Sequence, residues 1–232
     1  MDINLSINNM YIEGDCHDII KTIKTDSIDL IYNNPPFGTT ENKWDKPLRW
    51  NELWEEIWRV LKPTGIAIIH ASKPFSYKLI QSQTPKYNYS WKKNTTTNFF
   101  HAKKQPLRQM EEVYIFYKKP GTYNPQMVGD KINKTGSAGK SSYYGNRTKK
   151  QIVKTVIGNY PTDFLDYKVC VRGGKTISDD MIDYFIKTYS NEGETILDFT
   201  THNKAVGSRV ELLNRKFIGI DKNLIINIDG KS

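Results

Sequence analysis

Cysteine, histidine, acidic residues and long apolar runs are all scarce in this chain of 232 residues. The two cysteines, Cys16 and Cys170, are too few for a disulfide framework and lack metal-ligand spacing, so we expect a reducing cytoplasm. The four histidines are scattered, and we therefore expect no metal site. No segment approaches the roughly 18 apolar residues of a membrane span, which predicts a soluble protein without a membrane partner.

The shortage of acidic residues leaves an uneven positive charge. The chain has 25 acidic residues against 34 lysines and arginines, a net charge of +9. Most of the excess lies in residues 118–154, where Asp130 is the one acidic residue among nine basic residues: Lys118, Lys119, Lys131, Lys134, Lys140, Arg147, Lys149, Lys150 and Lys154. Tyr143 and Tyr144 lie among them. Concentrated charge with stackable rings predicts a nucleic-acid-binding segment, and a solvated flexible loop is the alternative.

One motif joins an apolar strand to two prolines. Ile28–Tyr32 predicts a buried strand, and Asn34, Pro35, Pro36 and Phe37 follow it. Because consecutive prolines fix φ and remove backbone donors, the strand must end in a rigid, extended loop. In such a loop the Asn34 side chain and the Pro35 carbonyl can accept hydrogen bonds from an amino group, while Phe37 stacks on the base that carries it. A plain strand-ending turn is the alternative.

Strand and helix patterns alternate along the chain. Strands are predicted at 10–13, 28–32, 66–70, 87–92, 112–117, 195–199 and 216–221, and helices at 16–24, 50–61, 75–82, 178–189 and 206–213. This alternation predicts an α/β fold with a doubly wound, mostly parallel sheet. Residues 118–170 show weak periodicity, and we interpret them as a basic insert within a single domain, 1–232.

Asp29–Lys46 and Trp54–Pro74 resemble the small phage and bacterial DNA N6-adenine/N4-cytosine methyltransferases. The motifs that carry the resemblance are Asn34-Pro35-Pro36-Phe37-Gly38-Thr39-Thr40 and Arg59-Val60-Leu61-Lys62-Pro63-Thr64-Gly65. It resumes at 94–117, 122–126 and 184–221. The resemblance implies a Rossmann-like, S-adenosylmethionine-dependent methyltransferase fold with permuted motif order, the catalytic half first and the cofactor half last. It also implies that the insert 118–170 recognises the target.

The resemblance assigns cofactor contacts to Asp15, Lys175, Asp198, Phe199 and Asp221. Active relatives follow the strand at Asp198 with a Gly-x-Gly turn against the cofactor, but His202 and Lys204 replace those glycines here. A second cofactor segment, His-Pro-Thr-Gln-Lys-Pro in relatives, keeps only its lysine, at Lys175 within 171–176. Asn34 also stands where this subgroup usually has aspartate. We therefore expect a vestigial site and no cofactor bound by the isolated chain.

These departures predict a catalytically degenerate homologue, a pseudoenzyme that binds duplex DNA, with RNA as the alternative nucleic acid. Its predicted partner is an active methyltransferase, which it would support as the silent subunit of a heterodimer. The aromatic residues Trp91, Phe99 and Phe100 are predicted to contribute to that interface, with core filling as the alternative. An active S-adenosylmethionine-dependent DNA N6-adenine or N4-cytosine methyltransferase and a stand-alone DNA-binding protein are the alternative functions. The family implies restriction–modification in the cytoplasm of a bacterium or phage-infected host.

Overall fold

A mixed sheet of eight strands forms the centre of the larger of two compact units in this computed structural model. The structure describes residues 9–135, 154–170, 177–202 and 204–223. The larger unit comprises 1–124 and 163–232, and the smaller comprises 125–162. In chain order the elements are β1 (Asn9–Glu13), α1 (Cys16–Ile19), β2 (Ile28–Asn33), α2 (Trp50–Val60), β3 (Leu61–Ala71), α3 (Phe75–Ser82), β4 (Tyr87–Thr97), β5 (Arg108–Phe116), β6 (Val128–Thr135), β7 (Lys154–Asn159), β8 (Phe164–Leu165), α4 (Asp179–Tyr189), β9 (Thr195–Asp198), α5 (Ala205–Leu212) and β10 (Lys216–Asp221).

The strand order in the large sheet is β1-β10-β9-β2-β3-β5-β4-β8. Strand β5 runs antiparallel to both of its neighbours, and the other pairings are parallel. The prediction of an α/β fold with a doubly wound, mostly parallel sheet is confirmed. Strands β9 and β10 come last in the chain but lie between β1 and β2. The two ends of the sequence therefore build one half of the sheet together.

Helices cover both faces of this sheet. On one face, Leu53 and Ile57 of α2 and Leu79 of α3 pack among buried strand residues. On the other face, Ile182 and Phe185 of α4 do the same. Each such side chain contributes about 1.5–3 kcal/mol through burial. The amphipathic spacing along α2 and α4 therefore accounts for the three layers, in which the sheet lies between helices on its two faces.

Several boundaries differ from the sequence prediction. Strands β4 and β5 are longer than predicted, because they form a hairpin that continues to the pair Thr97 and Arg108. Strands β6, β7 and β8 fall where the periodicity was too weak to predict an element. Helix α4 begins as predicted, since the Ser178 hydroxyl accepts a hydrogen bond from the Met181 N–H at 3.4 Å.

Trp91 is fully buried, and its Nε1–H donates to the Tyr167 carbonyl at 2.7 Å. It therefore fills the core, and the prediction that it faces a partner is wrong for this residue. Phe99 and Phe100, which were grouped with it, are exposed. Trp91 lies within β4 between β5 and β8, whereas Phe99 and Phe100 follow the end of β4, and ring size alone does not indicate this difference.

The smaller unit contains the hairpin of β6 and β7, in which Ile132 pairs with Ile157. The Asn133 amide donates to the Gly158 carbonyl at 2.9 Å, beside a glycine whose φ is 82°. The limits of the insert, 118–170, stay a prediction. Six predicted nucleic-acid contacts lie outside the described residues: Lys140, Tyr143, Tyr144, Arg147, Lys149 and Lys150. The same holds for the side chains of Lys134 and Lys154. Within the described ranges, no helix has the length and apolar character needed to cross a membrane.

Candidate cofactor and target-base site

The carboxyl ends of β1, β10, β9 and β2 are neighbours in the sheet. Asp15, Asp221, Asp198 and Asn34 lie at or just beyond those ends. The Gly14 N–H donates to the Asp221 carbonyl at 2.9 Å, which ties the first of these turns to β10. Ligands of open α/β sheets bind at this edge, outside the carboxyl ends of the strands. The structure thus brings together the residues predicted for the cofactor and for the base, except Lys175, which lies outside the described residues.

The loop after β2 begins with Asn34 and the buried Pro35. Phe37 is half-buried and stacks on Phe75 of α3, with ring centroids 5.3 Å apart and an interplanar angle of 15°. This stacking covers one face of the Phe37 ring. A target base at this loop could therefore stack only on the opposite face.

Asp45 holds the next part of this loop; it belongs to the segment Asp29–Lys46 that carries the family resemblance, but no site role was predicted for it. Its carboxylate accepts backbone N–H bonds from Gly38 at 2.7 Å, Thr39 at 2.9 Å and Thr40 at 2.7 Å. Burial opposes the charge, but these donors hold the pKa of Asp45 below its usual value. Gly38 has a φ of 65°, and a Cβ there would lie 2.7 Å from the Pro47 ring. An aspartate five to seven residues after a Gly-Thr-Thr run is the signal that could have found it.

Asp198, at the end of β9, is buried and bonded across the sheet. The Asn33 side-chain amide donates to its Oδ1 at 2.8 Å and to the Thr200 hydroxyl at 2.8 Å. The Thr200 N–H also donates to Asp198 Oδ1, at 3.1 Å. Burial raises the pKa of Asp198 to about 7, with a further contribution from Asp221, against the lowering effect of these donors. Asn33, for which no role was predicted, therefore joins β2 to the cofactor half.

Asp15 caps the N-terminus of α1 and has several partners. Its Oδ1 accepts from the His17 N–H at 2.9 Å and contacts His17 Nδ1 at 2.8 Å, while Lys222 Nζ lies 2.8 Å from its Oδ2. Burial opposes ionisation, but the bonds from Lys222 and His17 outweigh it and hold the pKa of Asp15 well below its usual range. The Arg49 N–H donates to His17 Nε2 at 3.1 Å. Asp15, Cys16 and His17 have potential metal-ligand atoms within 4.8 Å of one another, yet both ring nitrogens of His17 already have protein partners.

His202 and Lys204, at the two glycine positions of the family, are both exposed. Lys204 precedes α5, and its Nζ lies 6.0 Å from the centroid of the Tyr11 ring. Burial raises the pKa of Tyr11 to about 12, so its ring remains neutral beneath this cation. The Thr201 N–H donates to the Ile220 carbonyl at 2.9 Å, which fixes the start of the turn against β10.

A buried polar chain runs across the sheet from the strand that carries the proline loop. The Tyr32 hydroxyl lies 3.0 Å from His70 Nε2, His70 Nδ1 lies 3.5 Å from Glu111, and Lys93 Nζ lies 2.8 Å from the same carboxylate. Burial disfavours the charge on Glu111, but His70 and Lys93 lower its pKa below the usual value. No sequence signal indicated this series of buried polar side chains, because its four members lie on four different strands.

Lys118 and Lys119, the basic residues of the predicted nucleic-acid segment that belong to the larger unit, do not lie at this edge. Lys118 and Lys119 follow β5, which runs antiparallel to β3 and whose Phe116 pairs with Ala67. Both lysines are exposed on the side of the sheet where β3 begins. Lys118 Nζ lies 5.3 Å from the centroid of the Trp58 ring. Lys131 is exposed on β6 of the smaller unit.

Comparison with known proteins identifies the family. Residues 28–226 match the family model of N6/N4 methyltransferases, described as DNA methylase. The type II methyltransferase M.BamHI of Bacillus amyloliquefaciens is 24% identical over 226 residues, which cover 90% of this chain and 53% of that protein. This chain therefore spans about half the length of that relative.

Two solved structures share the fold. The PvuII cytosine-N4-specific DNA methyltransferase aligns with a TM-score of 0.67 and 12% identity over 94% of this chain and 83% of its own. A candidate DNA modification methylase of Thermus thermophilus, complexed with S-adenosyl-L-methionine, aligns with a TM-score of 0.61 and 13% identity over 94% of this chain and 88% of its own. On the match of the family model, this chain belongs to the N6/N4 DNA methylase family.

Proposed function

We propose that this chain is a catalytically degenerate DNA methyltransferase homologue that binds DNA and supports an active methyltransferase as the silent subunit of a heterodimer. The observation that carries this proposal is the turn after β9, where His202 and Lys204 stand at the two glycine positions of the family. The cofactor of the family lies against the backbone of that turn, so side chains there occupy its space. The chain acts in the cytoplasm of a bacterium or of a phage-infected host cell.

The residues of this turn do not fit S-adenosylmethionine as the glycines of the family do. The side chains of His202 and Lys204 take up space that two glycines would leave open to the cofactor. Lys204 also places a positive charge near a cofactor that is itself a sulfonium cation, and like charges repel most in a partly desolvated site. We therefore derive no methyl-transfer step from this chain.

The carboxylates assigned to the cofactor already have partners within the protein, which supports the same proposal. Lys222 and His17 contact the Asp15 carboxylate, and Asn33 donates to Asp198. A ligand that needs either carboxylate competes with these groups for its acceptor sites. Lys222 is exposed, so its ion pair is weak, whereas the Asn33 bond is buried and costly to break.

DNA binding rests on the family and on the excess of basic side chains. Duplex DNA carries one negative charge per about 1.7 Å of its axis, so affinity follows the number of phosphates that lysines and arginines neutralise. A chain with a net charge of +9 is suited to that contact. The heterodimer is proposed from the altered turn alone, because a subunit without cofactor needs an active partner to act in methylation.

Reconstitution with the active partner tests this proposal. The partner to use is a methyltransferase from an adjacent reading frame that carries both Asp-Pro-Pro-Tyr and Gly-x-Gly. Light scattering should show a 1:1 complex, and the partner should methylate DNA faster in the complex than alone. A persistent monomer that leaves the partner's rate unchanged would contradict the heterodimer and leave stand-alone DNA binding and an active methyltransferase as the candidate functions.

The second candidate is an active DNA N6-adenine or N4-cytosine methyltransferase, and one observation favours it. His202 and Lys204 are exposed, and the loop with Asn34 and Phe37 keeps its place at the carboxyl edge. Exposed side chains can rotate away from an incoming ligand at little cost. Transfer of a radiolabelled methyl group from S-adenosylmethionine to DNA by the isolated chain, absent from an Asn34→Ala variant, would establish this alternative.

A further inference from the structure

The hairpin of β4 and β5 extends beyond the carboxyl edge of the sheet. Glu112 of β5 pairs with Ala71, the last residue of β3, whereas Arg108 pairs with Thr97 four residues further along. At about 3.4 Å per residue, the hairpin reaches roughly 13 Å past the end of β3. Its tip, residues 98–107, therefore projects on the same side of the sheet as the proline loop after β2.

Hydrogen bonds give the tip a defined shape. Asn98 adopts a left-handed conformation with φ of 74° and opens a single 3-10 turn, Phe99–His101. The Ala102 N–H donates to the Phe99 carbonyl at 3.1 Å, and the Lys104 N–H donates to the His101 carbonyl at 2.8 Å. At the base of the hairpin, Arg108 Nη1 donates to the Lys73 carbonyl at 2.7 Å, next to α3. The tip is thus a folded turn attached to the body of the sheet.

Two phenylalanines lie uncovered on this turn. The relative exposure of Phe100 is 101%, and that of Phe99 is 64%. Removing such a ring from water stabilises a complex in which a partner covers it. Adjacent exposed aromatic rings on an ordered turn mark a contact surface for a partner.

The charge around these rings selects the partner. Residues 92–108 contain no acidic residue and five basic ones: Lys92, Lys93, Lys103, Lys104 and Arg108. Lys93 is bonded to Glu111 in the sheet, whereas Lys103 and Lys104 are exposed beside the rings. Exposed aromatic rings flanked by lysines are complementary to DNA, because the rings can stack on bases while the lysines contact phosphates.

We propose that Phe100 inserts between base pairs of duplex DNA, while Lys103 and Lys104 contact the flanking phosphates. Apolar side chains that enter a base step partly unstack it and kink the duplex. The tip projects on the side of the sheet that carries the loop of Asn34 and Phe37, so a ring in the stack lies on the side where a base would leave it. This role rests on the proposed DNA binding. It makes DNA, and not the partner subunit, the contact of Phe100.

A duplex with one abasic site, matched to an intact duplex, tests this role without knowledge of the recognition sequence. An aromatic wedge fills the gap, so the wild-type chain should bind the abasic duplex about tenfold more tightly. Phe100→Ala should remove this preference, and Phe100→Trp should keep it. Phe164→Ala is the matched control, because Phe164 is an exposed phenylalanine on β8; it should behave like the wild type.

The lysines have a separate readout. Lys103→Ala with Lys104→Ala should reduce the slope of log K against log salt by about 2, since each phosphate contact contributes about 0.9. The preference for the abasic duplex should persist in this double variant. Salt dependence therefore reports the phosphate contacts, and the abasic preference reports the ring.

Three results would overturn this inference. If the wild type and Phe100→Ala bind both duplexes equally, Phe100 does not enter the stack, and the proposed DNA binding still stands. If Phe100→Ala leaves DNA binding unchanged and abolishes association with the active methyltransferase, the tip is a protein contact. If the wild-type chain binds neither duplex, this inference and the DNA-binding part of the proposed function both fail.

Discussion

The side-chain amide of Asn33 donates to the Asp198 carboxylate at 2.8 Å and joins two strands that lie 165 residues apart in the chain. Both side chains are buried. This bond connects the half that carries the proline loop with the half that carries the altered turn. The two halves therefore keep a common edge even where the glycines of the family have been replaced.

Asn33→Ala should destabilise the protein, because it leaves a buried carboxyl group without one of its donors. Loss of a hydrogen bond to a buried polar group costs about 1–3 kcal/mol. Urea denaturation of the variant should show a lower free energy of unfolding by that amount. The control is Asn88→Ala, a partly buried asparagine on β4 outside this edge; a loss in Asn33→Ala no larger than in the control would contradict the role of the bond.

The stability of the protein should decline between pH 4 and pH 7 through Asp198. Burial raises its pKa from 3.8 to about 7, so the folded chain keeps a proton that the unfolded chain releases. The stabilising contribution of that proton is complete below the unfolded pKa and is lost as the pH rises through the folded pKa. The full change is on the order of 4 kcal/mol.

Urea denaturation at a series of pH values measures this decline, and Asp198→Asn should remove most of it; Glu112, whose pKa burial also raises, contributes the remainder. Asp15, whose pKa is lowered, stabilises the folded protein above its ordinary pKa of 3.8, and this stabilisation is lost only as the pH falls below that value. Its pH range therefore does not overlap with that of Asp198. A wild-type profile that is flat from pH 4 to 7, or an unchanged decline in Asp198→Asn, would show that Asp198 is ionised in the folded protein.

Asp45→Asn should loosen the loop after the prolines. Three backbone N–H groups, of Gly38, Thr39 and Thr40, point at this carboxylate, and an amide presents fewer acceptors and no charge. Hydrogen exchange of these three amides should become faster, and stability should fall by about 1–3 kcal/mol. Glu41→Gln, a change at an exposed carboxylate in the same loop, is the control and should leave exchange unchanged.

DNA binding by the basic stretch 118–154 should depend strongly on salt. If about half of its nine basic side chains contact phosphate, the slope of log K against log salt is near −4. Changing Arg147, Lys149 and Lys150 together to alanine should weaken binding and flatten that slope. An unchanged slope in this triple variant would remove the stretch from the DNA interface.

The main features of the fold could be predicted because they depend on local patterns. The apolar run before Pro35 and Pro36 indicated a buried strand that ends in a rigid loop, and β2 has that form. Ser178 followed by two aspartates indicated the start of α4, and the side-chain cap is present. Such signals need only neighbours in the chain and elementary sterics.

Features that depend on the register between distant strands could not be predicted. Lys118 and Lys119 belong to the same basic stretch as the insert, yet the antiparallel direction of β5 carries them to the end of β3 away from Asn34. Trp91 is buried by α4 and by the segment that contains Tyr167, which lies far along the sequence. The partners of Asp198 and Asp45 likewise depend on how loops fold back, and residue type alone does not indicate this.

Calorimetric titration of S-adenosylmethionine into the isolated chain tests the proposed loss of cofactor binding most directly. The wild type should show no binding tighter than about 1 mM. The double variant His202→Gly with Lys204→Gly should gain affinity, and Lys24→Gly, which removes an exposed lysine elsewhere, should not. A micromolar dissociation constant for the wild-type chain would contradict the account and favour the active methyltransferase.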